Sequence, residues 1–443
     1  VPKTIGSFGC TLLLTLATGC GLLDTSNPDI IDPGEVSVDA AYNGAVANFN
    51  LAKDGDGDVN AGTGTEGQVI LSGLMSDEFL LSTTPPSQQE IDQRAVAYET
   101  NGSIATFYTQ LQKAREGAEK TIPRLQVESP DGVDDARIPE LWSRAGYIYV
   151  YFGENFCEGV AYSTTQGSTV VHDTSRTRLE TLALAVERFD SSLASPTLPT
   201  EIEYLARIGK ARAYLDLHRD SAAAAAALVA AVPTGFSYDA EHASVPFSLA
   251  NAVFTFSEGS LISVSHAEGT TGLPYHDDTF RTPVDSVLDA DGNVVPGLDL
   301  TTPQFYQRKY VNEAQPIPVA NGLEARLIEA EAQLVATQYA AMTGILNTLR
   351  LGTPLAPLAV PATQAEAEDQ LFAERGLWLF ATGHRLGDLR RLVRDYGRTA
   401  DQVFPIGTYF KGGDYGTNVS LAIPFSAENN PRFDRSMCNP DTP

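Results

Sequence analysis

Between positions 374 and 392 the chain gathers the residue types that proton transfer needs: Glu374, His384 and Asp388, with Arg375, Arg385, Arg390 and Arg391 among them. A general acid and base must converge on one point, and a carboxylate with an imidazole is a common pair for that work. The surrounding residues argue for a different use. The first half of the run is apolar nearly all round, the mark of a buried helix. Its second half turns sharply basic. Leu371, Trp378, Arg385 and Leu392 recur every seven residues, which places them near one face of a helix. Arg385 and Asp388 stand three apart and can pair along it. The spacing therefore predicts one central structural helix whose charged end is fixed by ion pairs.

Other chemistry-bearing groups are sparse. Glu329 and Glu331 stand two apart on a helical pattern, so they point about 200° away from each other and cannot share a substrate. Asp54, Asp56 and Asp58 alternate with glycines as in a calcium loop, but Val59 occupies the place where an EF-hand needs glycine. An acidic surface turn is expected there. Gly62 to Gly67 fits GxGxxG, but it follows an acidic, glycine-rich loop instead of a strand, so it reads as loop. Four cysteines stand at 10, 20, 157 and 438, with no CxxC pair. Cys157 and Cys438 are either a disulfide or two separate thiols; sequence does not place them together. GxSxG, HExxH and phosphate-loop patterns are absent. No metal, cofactor or catalytic residue is expected.

The chain has 443 residues, with 56 acidic against 30 basic and a formal net charge of −26. That charge excludes a general electrostatic footprint for nucleic acid. It also means that membrane contact needs a specific anchor. The N-terminus supplies one. Lys3 precedes a short apolar run at 11–18, and Ala17-Thr18-Gly19-Cys20 resembles a bacterial lipobox. Residues 1–19 then read as a lipoprotein signal peptide, Cys20 as the lipidated residue and 20–35 as a Pro/Gly/Asp-rich tether.

Helical periodicity covers 36–52, 88–126 as one or two long helices, and then 139–153, 178–194, 200–217 and 219–231. The pair at 204–233 spans about one tetratricopeptide unit, roughly 34 residues. A second pair follows at 324–336 and 339–350. Such hairpins must stack to bury their faces. Residues 234–322 change character. Phe254, Phe256, Leu261 and Val264 alternate as in a strand, and Asp291-Gly292 signals a hairpin turn. Long loops on a rigid helical scaffold are where binding usually resides. Tyr275, Phe280, Phe305, Tyr306 and Tyr310 are the aromatic candidates for stacking on a sugar or gripping a peptide.

Several of these stretches together resemble the SusD/RagB family of nutrient-binding outer-membrane lipoproteins. Glu374-Arg375, Gly383-His384-Arg385 and Asp388-Leu389-Arg390-Arg391 match its C-terminal pattern, with Thr382 where the family has Glu. Leu327 to Ala332 with Ile345 to Arg350 is similar to its upstream hairpin. Tyr149 to Cys157 is similar to its aromatic helix, and Ser420 to Pro431 to its closing pattern. The resemblance implies a mainly α SusD-like fold over 36–443, with 234–322 as a loop-rich insertion carrying short strands and 323–431 as the signature region. It implies that Glu374, Arg375, Gly383, His384, Arg385, Asp388 and Arg390 are structural. It also implies a cell-surface protein that passes an oligosaccharide or peptide to a SusC-like TonB-dependent transporter, anchored by lipid alone. Ligand residues in this family vary with the loops, so none is carried over. Two other readings use the same residues: a tetratricopeptide-type protein scaffold, and a surface glycoside hydrolase built on two carboxylates.

Overall fold

Capping and amphipathic spacing set the helices. Thr177 with Glu180 and Thr363 with Glu366 form reciprocal capping boxes, which satisfy the first free amides of a helix. Asn101, Asn251 and Asn321 accept the equivalent amide at three other starts. The computed structural model describes residues 36–59, 64–96, 101–167 and 169–443. The signal segment, the lipobox cysteine Cys20 and the tether lie outside these residues, as do Gly62 and Thr63 of the GxGxxG run. The helices are α1 (Val38–Lys53), α2 (Gln68–Met75), α3 (Pro86–Asp92), α4 (Gly102–Glu128), α5 (Arg137–Asn155), α6 (Arg178–Leu193), α7 (Thr200–Leu217), α8 (Ala222–Val229), α9 (Ala252–Glu258), α10 (Gly322–Val335), α11 (Tyr339–Arg350), α12 (Gln364–Trp378) and α13 (Arg385–Tyr396). The fold is mainly α, as expected.

The longer helices bury their apolar faces against one another. α1 packs on α4, α4 on α5, α5 on α6, α6 on α7, α7 on α8 and α8 on α10, which also holds α11 and α12. This is the stacked-hairpin logic of a solenoid. The centre is α5, in which Tyr147, Tyr149 and Tyr151 are all buried. Phe189 of α6 packs edge-on against Tyr147 at 5.2 Å.

The irregular part is tied down by short antiparallel ladders. Ser237–Ala240 pairs with Ile317–Asn321 and closes its base. Ile262–Val264 pairs with Phe79–Leu81, and Val284–Asp285 with Tyr306–Gln307. Gly292 takes φ +85° in the expected turn at 291–292. One local expectation fails. Phe254 and Phe256 lie on α9, because Asn251 accepts the Phe254 amide at 2.9 Å and starts a helix. Another fails at Asp54. It is fully buried and its carboxylate accepts the Ala252 amide at 2.6 Å, so the alternating aspartates begin inside the protein.

Cys157 and Cys438 form a disulfide with Cα atoms 5.0 Å apart. The Cys157 amide donates to the Leu421 carbonyl at 2.9 Å, so the end of α5 lies beside the C-terminal segment. The bridge closes a separation of 281 residues, and long closed loops gain most from cross-linking. The Cys157→Ser/Cys438→Ser double variant is expected to lose about 2–4 kcal/mol of stability in denaturant unfolding. An unchanged midpoint would show that the C-terminal segment holds without the bridge.

Candidate ligand-binding site

The signature run is two helices, not one. α12 stops at Trp378 and α13 starts at Arg385. Between them Ala381 takes φ 54° and Gly383 φ 77°, left-handed values that a continuing helix excludes. At Gly383 a Cβ would overlap the Gln68 side chain, which accounts for glycine there. The turn is held by outside donors. Lys309 Nζ donates to the Phe380 carbonyl and the Tyr310 hydroxyl to Ala381 O at 2.9 Å. Lys53 Nζ takes Thr382 O at 2.5 Å, and Gln68 Nε2 takes Gly383 O. The Ala381 amide donates to Glu78 Oε1 at 2.9 Å. Burial pushes the Lys53 ammonium down to about 7.

The break re-aims the charged residues. Arg375 and Asp388 face each other across it in a two-bonded pair, 2.8 Å at both contacts, the strong geometry for guanidinium and carboxylate. Asp388 also receives Arg391 at 2.7 Å. Arg385 does not pair with Asp388 as the spacing suggested; it reaches Glu268 in the irregular part. Arg390 donates to the carbonyls of Gly153 and Glu154 at 3.1 and 2.6 Å. His384 lies between Arg212 (Nε2, 2.7 Å) and Thr382 (Nδ1 to Oγ1, 2.8 Å), with Glu324 Oε1 3.2 Å from Nε2. Burial, and Arg212 after it, lowers the imidazole well below its ordinary value, so it is neutral. Nε2 then accepts from Arg212, Nδ1–H donates to Thr382, and the threonine hydroxyl donates to Leu379 O. Thr382 thus supplies a hydroxyl relay where the family pattern has a carboxylate. The free space inside this cluster is about 10 Å³, room for one water at most. Its acids and bases are sealed from any substrate.

One member of the run, also buried, turns away from this cluster. The Glu374 carboxylate accepts from Arg281 at 2.9 Å, from Arg350 Nε at 3.0 Å and from the Trp378 indole at 3.2 Å. Arg281 lies over the Trp378 ring at 5.2 Å, and Phe280 meets that ring edge-on at 6.3 Å. Asp278 grips Arg281 from the other side at 2.6 Å. The result is an aromatic ledge on a fixed charged base. It borders a surface cavity of about 380 Å³, lined by Asp277, Asp278, Phe280, Arg281, Pro354 and Leu355 among others. Phe280 is 47% exposed. A larger cavity of about 430 Å³ contains Gln112, His172, Asn429 and Asn430, but its one tyrosine, Tyr108, is 8% exposed. At the ledge an exposed ring stands beside planar polar groups, the pairing that grips a sugar face and its hydroxyls.

No protein-family model and no curated protein matches the chain. Solved structures do. A SusD superfamily protein of Parabacteroides distasonis superposes with TM-score 0.64 at 12% identity, covering 91% of this chain and 98% of that one. A SusD superfamily protein of Bacteroides thetaiotaomicron gives 0.61 at 12% identity, over 80% and 89%. A laminarin-binding SusD-like protein gives 0.58 at 15% identity, over 83% and 95%. This chain has the SusD-like fold.

Within the SusD-like fold the five aromatic candidates separate. Phe280 stands on the ledge. Phe305 and Tyr306 are half-buried; Phe305 packs against His276 at 4.2 Å and Tyr306 shares a hydrogen bond with Ser260 at 3.1 Å. Tyr275 and Tyr310 are corrections. Both are buried, with their hydroxyls on Glu268 and on Ala381 O, so they brace the signature turn and offer no face to a ligand. Trp378, read from the sequence only as part of a helix face, Arg281 and the Pro354-Leu355 segment were not among the ligand candidates. Trp378 and Glu374 stand four apart, a signal for their contact, but only the fold brings position 280 to them.

The Asp388 pairings carry a measurable consequence. Burial would raise its carboxyl, but Arg375 and Arg391 outweigh burial and hold it below the usual range. A depressed pKa contributes stability above the unfolded value of about 3.9 and loses it below. Asp388→Ala leaves two buried guanidinium groups short of a partner, and a loss of about 3–5 kcal/mol is expected at pH 6. The gap from wild type should narrow as pH falls below about 4. A cost that does not change with pH would show that the carboxylate charge is not what matters.

Proposed function

We propose that the protein is a non-catalytic, lipid-anchored carbohydrate-binding protein of the bacterial outer surface. It captures an oligosaccharide at the Phe280–Trp378 ledge and passes it to a SusC-like TonB-dependent outer-membrane transporter. The observation that carries the ligand reading is the ledge itself: an exposed ring, fixed edge-on to an indole that Glu374 holds in place. A preset aromatic face binds a pyranose without ordering cost. The fold supports the same reading, since a protein that shares it is named for laminarin binding. The sealed state of the signature acids and bases argues against hydrolysis. Among the described residues no helix is long and apolar enough to cross a membrane, and the lipobox at Cys20 supplies the anchor in this reading.

The test is isothermal titration of the purified chain with a panel of soluble oligosaccharides that includes laminarin fragments. Saturable binding without release of reducing ends is expected, with Phe280→Ala weakening it by about tenfold or more, the scale of one stacked ring. Bound sugar with Phe280→Ala unchanged would move the site elsewhere, and hydrolysis by the wild type would end the non-catalytic reading.

A further inference from the structure

The loops at 264–278 bring together two histidines that the ledge does not use. His266 Nδ1 and His276 Nδ1 lie 3.1 Å apart, with ring centroids at 4.9 Å and planes at 73°. On the other side of its ring, His276 Nε2 lies 3.1 Å from the Val264 carbonyl oxygen. A carbonyl can only accept, so that nitrogen carries the proton and Nδ1 presents a bare lone pair. Phe305 packs on the same ring at 4.2 Å and fixes its plane. His266 is solvent-exposed. Moving its proton from Nδ1 to Nε2 therefore strands no buried donor.

We propose that His266 and His276 form a two-imidazole binding site for a late divalent transition-metal ion, with water completing the coordination sphere. Metal–nitrogen bonds to imidazole are about 2.0–2.1 Å long. Two such ligands at angles from square-planar to tetrahedral therefore sit roughly 2.9–3.4 Å apart. The observed separation lies inside that window. The Val264 carbonyl is the outer partner that ligating histidines ordinarily have, setting the tautomer and the ring orientation. Asp277, next in the chain, acts on His276 by its charge and raises the local attraction for a cation. Among the described residues no group of three or more His, Cys, Asp or Glu is placed to hold a metal. The protein thus supplies two ligands and solvent the others. Imidazole donors suit copper, nickel and zinc and discriminate against calcium and magnesium, which take oxygen ligands. Among the late metals Cu(II) binds tightest. The two ligating histidines are not residues of the sugar reading, and the assignment does not depend on it.

The experiment uses the full chain, stripped with a chelator, and Cu(II) or Zn(II) ions alone at neutral pH. Calorimetry should give one ion per chain at this site, and Cu(II) electron paramagnetic resonance should show coupling to two imidazole nitrogens. His266→Ala and His276→Ala should each weaken binding by about tenfold or more. His218→Ala, which removes another exposed histidine, should leave it unchanged. Metal-free melting curves establish that the variants fold, and because His266 is exposed its variant reads the site even if His276→Ala is destabilised. Binding that survives both substitutions, coupling to a single nitrogen, loss on His218→Ala, or no binding would each overturn the assignment.

Discussion

Four consecutive carbonyls, from Phe380 to Gly383, point out of a broken helix, and each is met by a donor from another part of the chain. Lys309 and Tyr310 come from the irregular part, Lys53 from α1 and Gln68 from α2. An unpaired carbonyl in this interior would cost free energy on the scale of a lost hydrogen bond. The break is therefore permitted only where these four donors arrive together. It is a constraint on the whole fold, because the donors span positions 53 to 310. The ion pairs that flank the turn extend the same constraint. Arg385 reaches Glu268, Arg391 reaches both Glu331 and Asp388, and Arg212 binds Glu154. Buried pairs of this kind are weak evidence for net stability, but the loss of one partner is costly. Their effect is to make alternative packings expensive.

The consequence for function lies at the outer edge of this network. Glu374 belongs to the same helix as Arg375, but its carboxylate collects Arg281, Arg350 and the Trp378 indole. Interior order is carried to the surface through that one side chain. The ledge is rigid because its base is ionic and its rings meet edge-on. The buried charges, by contrast, surround a void too small for a ligand.

The helical scaffold was largely legible in the sequence. The patterns at 139–153, 178–194, 200–217 and 339–350 fall on α5, α6, α7 and α11, because apolar periodicity is a local signal. The break after Trp378 was not legible. Leu379, Phe380 and Ala381 all read as helix, and only long-range donors hold Ala381 at positive φ. Phe254 and Phe256 misled in the opposite sense: alternation suggested a strand, while a single asparagine cap made a helix. Tyr275 and Tyr310 lie in the loop-rich part where exposed rings were expected, yet each hydroxyl has a buried acceptor, which no local pattern reveals. The disulfide was open in the sequence and is decided by the pairing of the end of α5 with Leu421. Thr382 departs from the family pattern, and its role became visible only with His384 beside it.

The central claim is that a sugar sits against the ring pair that the signature helix holds. The chain has two tryptophans, Trp142 and Trp378. In a Trp142→Phe background the indole signal belongs to Trp378 alone. Titration of that variant with a bound oligosaccharide should shift or change the intensity of its emission saturably, with the midpoint that calorimetry gives for the same sugar. A sugar that binds by calorimetry and leaves the Trp378 emission untouched would contradict the account.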